Sequence, residues 1–452
     1  MHSPSLIFHK PLLRRLLLLS IALIVLLPAA RAQEAEPLEL SLDQALELAV
    51  ERNFSVQQSG FEVDAARART RQANAVFLPQ LSLEYNAVRT NDPLNVFGFR
   101  LKQQSVTEQD FAPDRLNNPD AFPNYSAAVQ LQQPVLNPGR IKQRAAARNQ
   151  LRSQREQLSG TREQIRFQVK QQYYTATMSA AKQEVISEAL ATAEAFEQQA
   201  ENFAEEGMLS REDLLAARVH RLELENQLLE AENELENARQ ELAFMLGYGS
   251  DRRVMPTDAL TAREAGMAAT DTGTPLDNAF LRAIDHQVAA AADMQRAAQF
   301  SFLPSLNLFG SYELNDDEAF GFESSSYMIG ANLRWNLFSG FQQVGKMQEA
   351  RAQKRQAETM LQEQQIAQQN QLEQARRALT QAEEQIQVSR EAIIQAEENA
   401  RIRRNRHEEG LARTTDLLAA ETRLSEVRLR ELAAIFRYNM SVAAIEMLLD
   451  SE

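Results

Sequence analysis

Two stretches of the chain, Arg140–Glu206 and Gln342–Glu409, contain no proline and one glycine each, Gly160 and Gly345. Proline breaks a helix interior and glycine weakens it, so each stretch reads as one uninterrupted helix. At ~1.5 Å per residue such a helix runs on the order of 100 Å. A compact globular core has no room for that length. The helices must lie along one another as coiled coil, or close into a hollow helical tube.

The apolar spacing supports lateral pairing. Leu214, Ala217, Arg221, Leu224, Leu228, Ala231, Leu235, Ala238, Leu242 and Met245 step alternately by three and four, with Arg221 the one interruption. A second seam runs Leu417, Ala420, Leu424, Val427, Glu431, Ala434, Tyr438, Ser441, Ile445 and Leu448. A third runs Leu372, Ala375, Leu379, Ala382, Ile386, Ser389, Ile393, Ala396 and Ala400. These are a/d stripes of antiparallel helix pairs, and their many alanines allow close approach. Glutamine is abundant between 342 and 387 and little there is apolar off the seam. A wall with water on both sides has that composition.

The chain repeats itself. "FLPQLSLEY" (Phe77–Tyr85) matches "FLPSLNLFG" (Phe302–Gly310), and "YSAAVQLQQPVLNPG" (Tyr125–Gly139) parallels "YMIGANLRWNLFSG" (Tyr327–Gly340). "AEEGMLSREDLLAAR" (Ala204–Arg218) returns as "HEEGLARTTDLLAAE" (His407–Glu421), 203 positions later. The order is the same each time, so the chain reads as a duplication. The first repeat spans 33–247 and the second 274–452, joined by a linker at 248–273. Each repeat opens with a capped helix: Ser41-Leu42-Asp43-Gln44 forms a capping box, and Thr274-Pro275-Leu276-Asp277 is its counterpart. Gly207 and Gly410 end the long helices in left-handed turns, and Ser210 caps the helix that returns. The two tips are thus Gly207-Met208-Leu209-Ser210 and Gly410-Leu411-Ala412-Arg413.

Four segments alternate apolar and polar residues: about 80–89, 124–133, 305–314 and 326–336. Period two sorts side chains onto two faces of a strand. About ten residues is also the length that crosses a bilayer when tilted. Alternation alone equally describes a half-buried sheet in a soluble protein. Tyr85, Tyr125, Tyr312, Tyr327 and Trp335 are the candidates for an interfacial aromatic girdle. Thr90–Pro123, rich in Pro, Asn and Asp, reads as a long exposed loop, parts of which are held by Phe97, Phe99, Phe111 and Phe122.

Residues 1–32 read as a secretory signal. Lys10, Arg14 and Arg15 precede an apolar run from Leu16 to Leu27, and Ala30-Arg31-Ala32 offers a cleavage site. After that segment no apolar run reaches the 18 residues of a spanning helix. Four of the 48 basic residues and none of the 62 acidic ones lie in 1–32, so the chain from Gln33 on carries a formal −18. That balance argues against a nucleic-acid partner. The absence of cysteine excludes a disulfide scaffold and an N-terminal lipid anchor. His220, His286 and His407 have no metal-ligand spacing, and no phosphate loop or nucleophile elbow occurs, so neither a metal, a cofactor nor catalysis is expected. A periplasmic coiled-coil scaffold or pump adaptor is the rival reading; it has no need of the four alternating segments.

The chain resembles the TolC family of outer-membrane efflux proteins from about Leu40 to Leu449. The resemblance rests on "LSLDQALELAVERN", the two "FLP" segments, "NPGR" and "FSGF" after the second strands, and the duplicated Gly-x5-Asp-Leu-Leu turn. It implies a mainly α fold in which antiparallel coiled coils form a periplasmic α-barrel. Four strands per chain would join a twelve-stranded barrel shared by a homotrimer in outer-membrane lipid. Four strands cannot close alone, and lipid tolerates no open edge, so oligomerisation is required on physical grounds too. The resemblance further implies a channel of a tripartite efflux pump or type I secretion system, carrying small molecules or polypeptides. Its partners would be a periplasmic adaptor at the turns and, through it, an inner-membrane pump. The family's gate positions fall on His407, Ala412, Asp416 and Ala419, with Asp213 in the first repeat. Only Asp213 and Asp416 keep the family's residue type: His407 replaces a tyrosine, Ala412 an arginine and Ala419 an aspartate.

Overall fold

The structure, a computed structural model, describes residues 37–249, 252–263 and 276–450. The expected signal segment, and residues 250–251 and 264–273 of the expected linker, lie outside the described residues. In chain order the elements are β1 (Leu38–Leu40), α1 (Leu42–Arg52), α2 (Phe54–Ala75), β2 (Gln80–Thr90), α3 (Pro93–Lys102), a 3-10 turn (Glu108–Phe111) and α4 (Pro113–Asn117). Then come β3 (Phe122–Leu136), α5 (Pro138–Glu205), α6 (Arg211–Met245), β4 (Val254–Pro256), α7 (Ala279–Phe300), β5 (Ser305–Asp316), β6 (Ser324–Arg334), α8 (Gln342–Glu408) and α9 (Thr414–Leu449). The two proline-free stretches are single helices of 68 and 67 residues.

The chain divides into two compact units, each drawn from three stretches. The first holds residues up to Asn53, Arg166–Arg263 and Thr380–Met440. Its coiled-coil seam buries Ala217, Leu224, Ala231, Leu235 and Leu242 of α6. Arg221, the interruption of that stripe, is neutralised by Glu197 at 2.5 Å and Glu225 at 2.7 Å. On α9, Ala434 and Ile435 pack with Ile386 of α8. An 18-residue window of α9 is apolar enough to cross a membrane, but half of it is buried within the chain, as its heptad stripe requires. Residues 254–256, read as linker, instead form β4, which pairs in parallel with β1. Tyr173 fixes this pairing. Its buried hydroxyl donates to Asp258 Oδ2 at 2.7 Å and lies 3.0 Å from the Leu40 carbonyl, while Asp258 also accepts the Leu42 N–H. The expected capping box is present on α1: Gln44 N–H donates to Ser41 Oγ, and Gln44 Oε1 accepts the Ser41 N–H.

The second unit holds Phe54–Ile165, Glu264–Leu379 and the residues after 440. Its sheet has the order β2-β3-β5-β6, antiparallel throughout. A register shift between Pro134 and Leu136 absorbs the proline, which has no N–H for the ladder. One expectation fails here. The second repeat was to start its helix at Thr274-Pro275-Leu276-Asp277, yet Leu276 and Asp277 are not helical and α7 starts at Ala279. Asn278 is the cap. Its Oδ1 accepts the Leu281 N–H, and its Nδ2 donates to Gln368 Oε1 at 2.8 Å and to the Leu448 carbonyl at 2.9 Å. Thr274 and Pro275 lie outside the described residues; at Asn278 a buried side chain satisfied by two other helices sets the start of α7.

The loop between β2 and β3 is a built structure. Asp92 caps α3, with Pro93 in its first turn. Gln103 Nε2 donates to the Pro123 carbonyl, Asn124 Oδ1 and the Asp316 carbonyl at 2.9–3.1 Å. Lys102 pairs with Glu313 at 2.9 Å, and Ser324 Oγ donates to the Lys102 carbonyl. The loop is therefore fastened to one end of the sheet.

Candidate functional site

The sheet register lines up four side chains at a time. One row reads Leu83, Val129, Tyr312 and Tyr327, and the next on that face Leu81, Leu131, Gly310 and Ile329. The rows between them point to the other face: Ser82, Gln130, Ser311 and Met328, then Glu84, Ala128, Glu313 and Ser326. One face is thus apolar and the other mainly polar. The apolar face is uncovered, with Leu81 72%, Leu83 74%, Tyr327 78% and Ile329 80% exposed. A soluble sheet would bury such a face against a core. Strands β2 and β6 also carry no partner on their outer edges among the described residues. An apolar outside, a polar inside and two unpaired edges describe a segment of barrel wall.

The aromatic residues bound this face. Tyr312 and Tyr327 are register partners three rows from the fastened loop. Tyr85 stacks on Phe320 at 5.0 Å, and Tyr125 is aligned with Asp316 at the loop end. Trp335 sits one residue beyond β6 and donates from Nε1 to the Phe302 carbonyl at 3.0 Å. Tyr327 and Trp335 are separated by about 27 Å along the strand, or ~20 Å in height at a tilt of ~40°. That is close to the ~25 Å apolar band of a membrane barrel.

The two helix turns share one geometry. Gly207 (φ +75°) and Gly410 (φ +72°) are left-handed. Met208 N–H reaches the Phe203 carbonyl and Gly207 N–H the Ala204 carbonyl; Leu411 and Gly410 do the same to Arg406 and His407. Both are Schellman turns. Nothing lies within 4 Å of where a Cβ would stand on either glycine, so conformation and not space demands glycine there. The next residue, Met208 or Leu411, is left exposed at the apex. Leu209 and Ala412 are half-buried behind it. Ser210 caps α6 by accepting the Asp213 N–H, and its hydroxyl donates to Asp213 Oδ2 at 2.6 Å. Arg413 is exposed and contributes only its carbonyl to the start of α9.

The gate candidates separate into two groups. Asp416 is half-exposed, 3.7 Å from Arg403. His407 is only 8% exposed and faces the chain's own interior. Its Nε2 lies 3.3 Å from the buried Thr414 hydroxyl across the turn, and its ring meets Phe196 edge-on at 5.1 Å. It braces the turn from within. Asp213 lies close enough to act on it electrostatically. The sequence reading missed Phe196, Thr414 and Arg403. The seven-residue spacing of His407 and Thr414 across a glycine turn was the available signal.

Burial holds the His407 imidazole below its ordinary value, with Asp213 and Glu408 opposing. The unfolded chain therefore binds a proton before the folded turn does. Between about pH 6.5, the unfolded value, and the lower folded value, stability of the turn falls as pH falls. Amide exchange at 404–417, corrected for intrinsic rates, should quicken between pH 7.5 and 5.5 in the natural chain. The His407→Phe variant should lose that dependence; an equal response in both removes His407 as its source.

A family model described as outer membrane efflux protein matches residues 45–248 and 276–449. Among solved structures, the outer membrane protein VceC of Vibrio cholerae is similar over 91% of this chain and 96% of its own, with TM-score 0.77 and 20% identity. The CmeC outer membrane channel of Campylobacter jejuni is similar over 90% and 85%, with TM-score 0.78 and 14% identity. CusC, solved in work on transmembrane channel formation, is similar over 91% and 92%, with TM-score 0.76 and 16% identity. At these identities the likeness is one of fold. A comparison with curated protein sequences found no match.

Proposed function

Because this chain belongs to the outer membrane efflux protein family, we propose that three copies join their four-stranded sheets into one twelve-stranded barrel and pass solutes through it from periplasm to exterior. It is an outer-membrane efflux channel by family. The observation that carries this reading is the uncovered apolar face backed by a polar face and flanked by two edges that have no partner among the described residues. A periplasmic scaffold has no use for such a sheet. The helices continue the conduit as a periplasmic tube of coiled-coil wall, consistent with α8's water-compatible composition. The exposed Met208 and Leu411 at the turns are the contacts for a periplasmic adaptor, which links the channel to an inner-membrane pump. Asp416 of each copy contributes to an acidic, cation-selecting ring, with Asp213 beside the opposite turn.

Single-channel recording on the purified protein in planar bilayers tests this reading. One conducting unit per trimer, selective for cations, is expected. In Asp416→Ala the cation preference should fall. A protein that runs as a soluble periplasmic monomer and conducts nothing would falsify the channel reading. Unchanged selectivity in Asp416→Ala would remove the ring alone.

A further inference from the structure

Within the first unit, α5, α6, α8 and α9 surround a cavity of about 750 Å³. Ligand sites for drug-sized molecules span ~300–1,000 Å³. The space exists because α5 presents small side chains, Ala189, Ala193 and Ala195, where a tightly filled helix bundle would place larger ones. Phe196 and Leu418 add apolar wall. The polar lining is acidic in excess, with five glutamates against Arg404 and Arg428. Both arginines are already engaged. Arg404 pairs with Glu421 at 2.6 Å, and Arg428 with Glu188 at 3.1 Å and Glu397 at 3.0 Å. Glu223 and Glu408 make no ion pair among the described residues, so negative charge is left over at the rim.

We propose that this cavity binds an amphipathic organic cation, its apolar body against the α5 alanines and Phe196 and its positive group toward Glu223. A flat apolar body suits the Ala and Phe wall, and a carboxylate beside low-dielectric surface attracts a cation more strongly than one in open water. The inference rests on the cavity within one protomer and not on the channel reading. His220 and His407 both line it. Glu223 and Glu421 act on His220, and Asp213 and Glu408 on His407, while burial holds both rings below the ordinary value. With Arg404 and Arg428 neutralised, the histidines are the groups that change. Acidification charges them, so cation binding weakens as pH falls.

Fluorescence anisotropy of rhodamine 6G, a cationic amphipathic dye, with the purified full-length protein tests the proposal. Saturable binding is expected, absent for anionic fluorescein and weaker at pH 5.5 than at pH 7.5. Glu223→Gln should raise the Kd about tenfold, the loss of one charge-assisted contact. Ala189→Phe, which fills the cavity, should weaken binding at least as much. Glu223 is exposed, so its variant folds even if Ala189→Phe does not. Unchanged affinity in Glu223→Gln, equal binding of fluorescein, or no saturable binding at all overturns the proposal. The last of these is also what a groove reserved for a partner's helix would give.

Discussion

Leu81→Arg is expected to abolish assembly of the channel in the outer membrane. Leu81 lies in the row with Leu131, Gly310 and Ile329 on the uncovered apolar face, inside the bounding row of Tyr312 and Tyr327. An arginine deep in a barrel's lipid face costs ~2–4 kcal/mol. Three copies raise that to roughly 6–12 kcal/mol, comparable with the whole stability of many folded proteins. Ser82, the next residue, points to the polar face, where an arginine meets water. Ser82→Arg should therefore assemble normally and alter conductance only. The readout is the amount of trimer in isolated outer membranes for each variant. Wild-type assembly of Leu81→Arg would mean that this face does not meet lipid.

What could be read from the sequence was local. The a/d stripe from Leu214 to Met245, the alternation from Leu81 to Ala87, and the glycines at 207 and 410 each carry their structural meaning within a few residues. The register of the sheet even keeps the sequence-derived apolar sets on one face, because period-two patterning is preserved across every strand pair. What could not be read depends on distant residues. Nothing near Val254 announces a strand; β4 exists because Leu38–Leu40 lies beside it and Tyr173 and Asp258 fasten the pair. Gln103 looks like any loop glutamine until Pro123, Asn124 and Asp316 surround its amide. His407 took its place among the gate candidates by alignment with the family. Nothing near it in the sequence shows that Phe196, from a helix more than 200 positions earlier, packs against its ring.

Asn278→Ala should be among the most destabilising single changes in the second unit. The side chain is 2% exposed and does three jobs. It caps α7, worth ~1 kcal/mol on removal. It also supplies both hydrogens that satisfy Gln368 Oε1 and the Leu448 carbonyl. Stranding each of these two buried acceptors costs ~1–3 kcal/mol, so with the cap the loss should total roughly 3–7 kcal/mol. Asn278→Ser separates the contributions, since a serine caps the helix but reaches neither distant acceptor. Its thermal transition should fall between those of Ala and the natural chain, nearer to Ala. Equal transitions for Ser and the natural chain would place the whole effect in the cap. The two amide hydrogens would then contribute nothing, and the later start of α7 would need another cause.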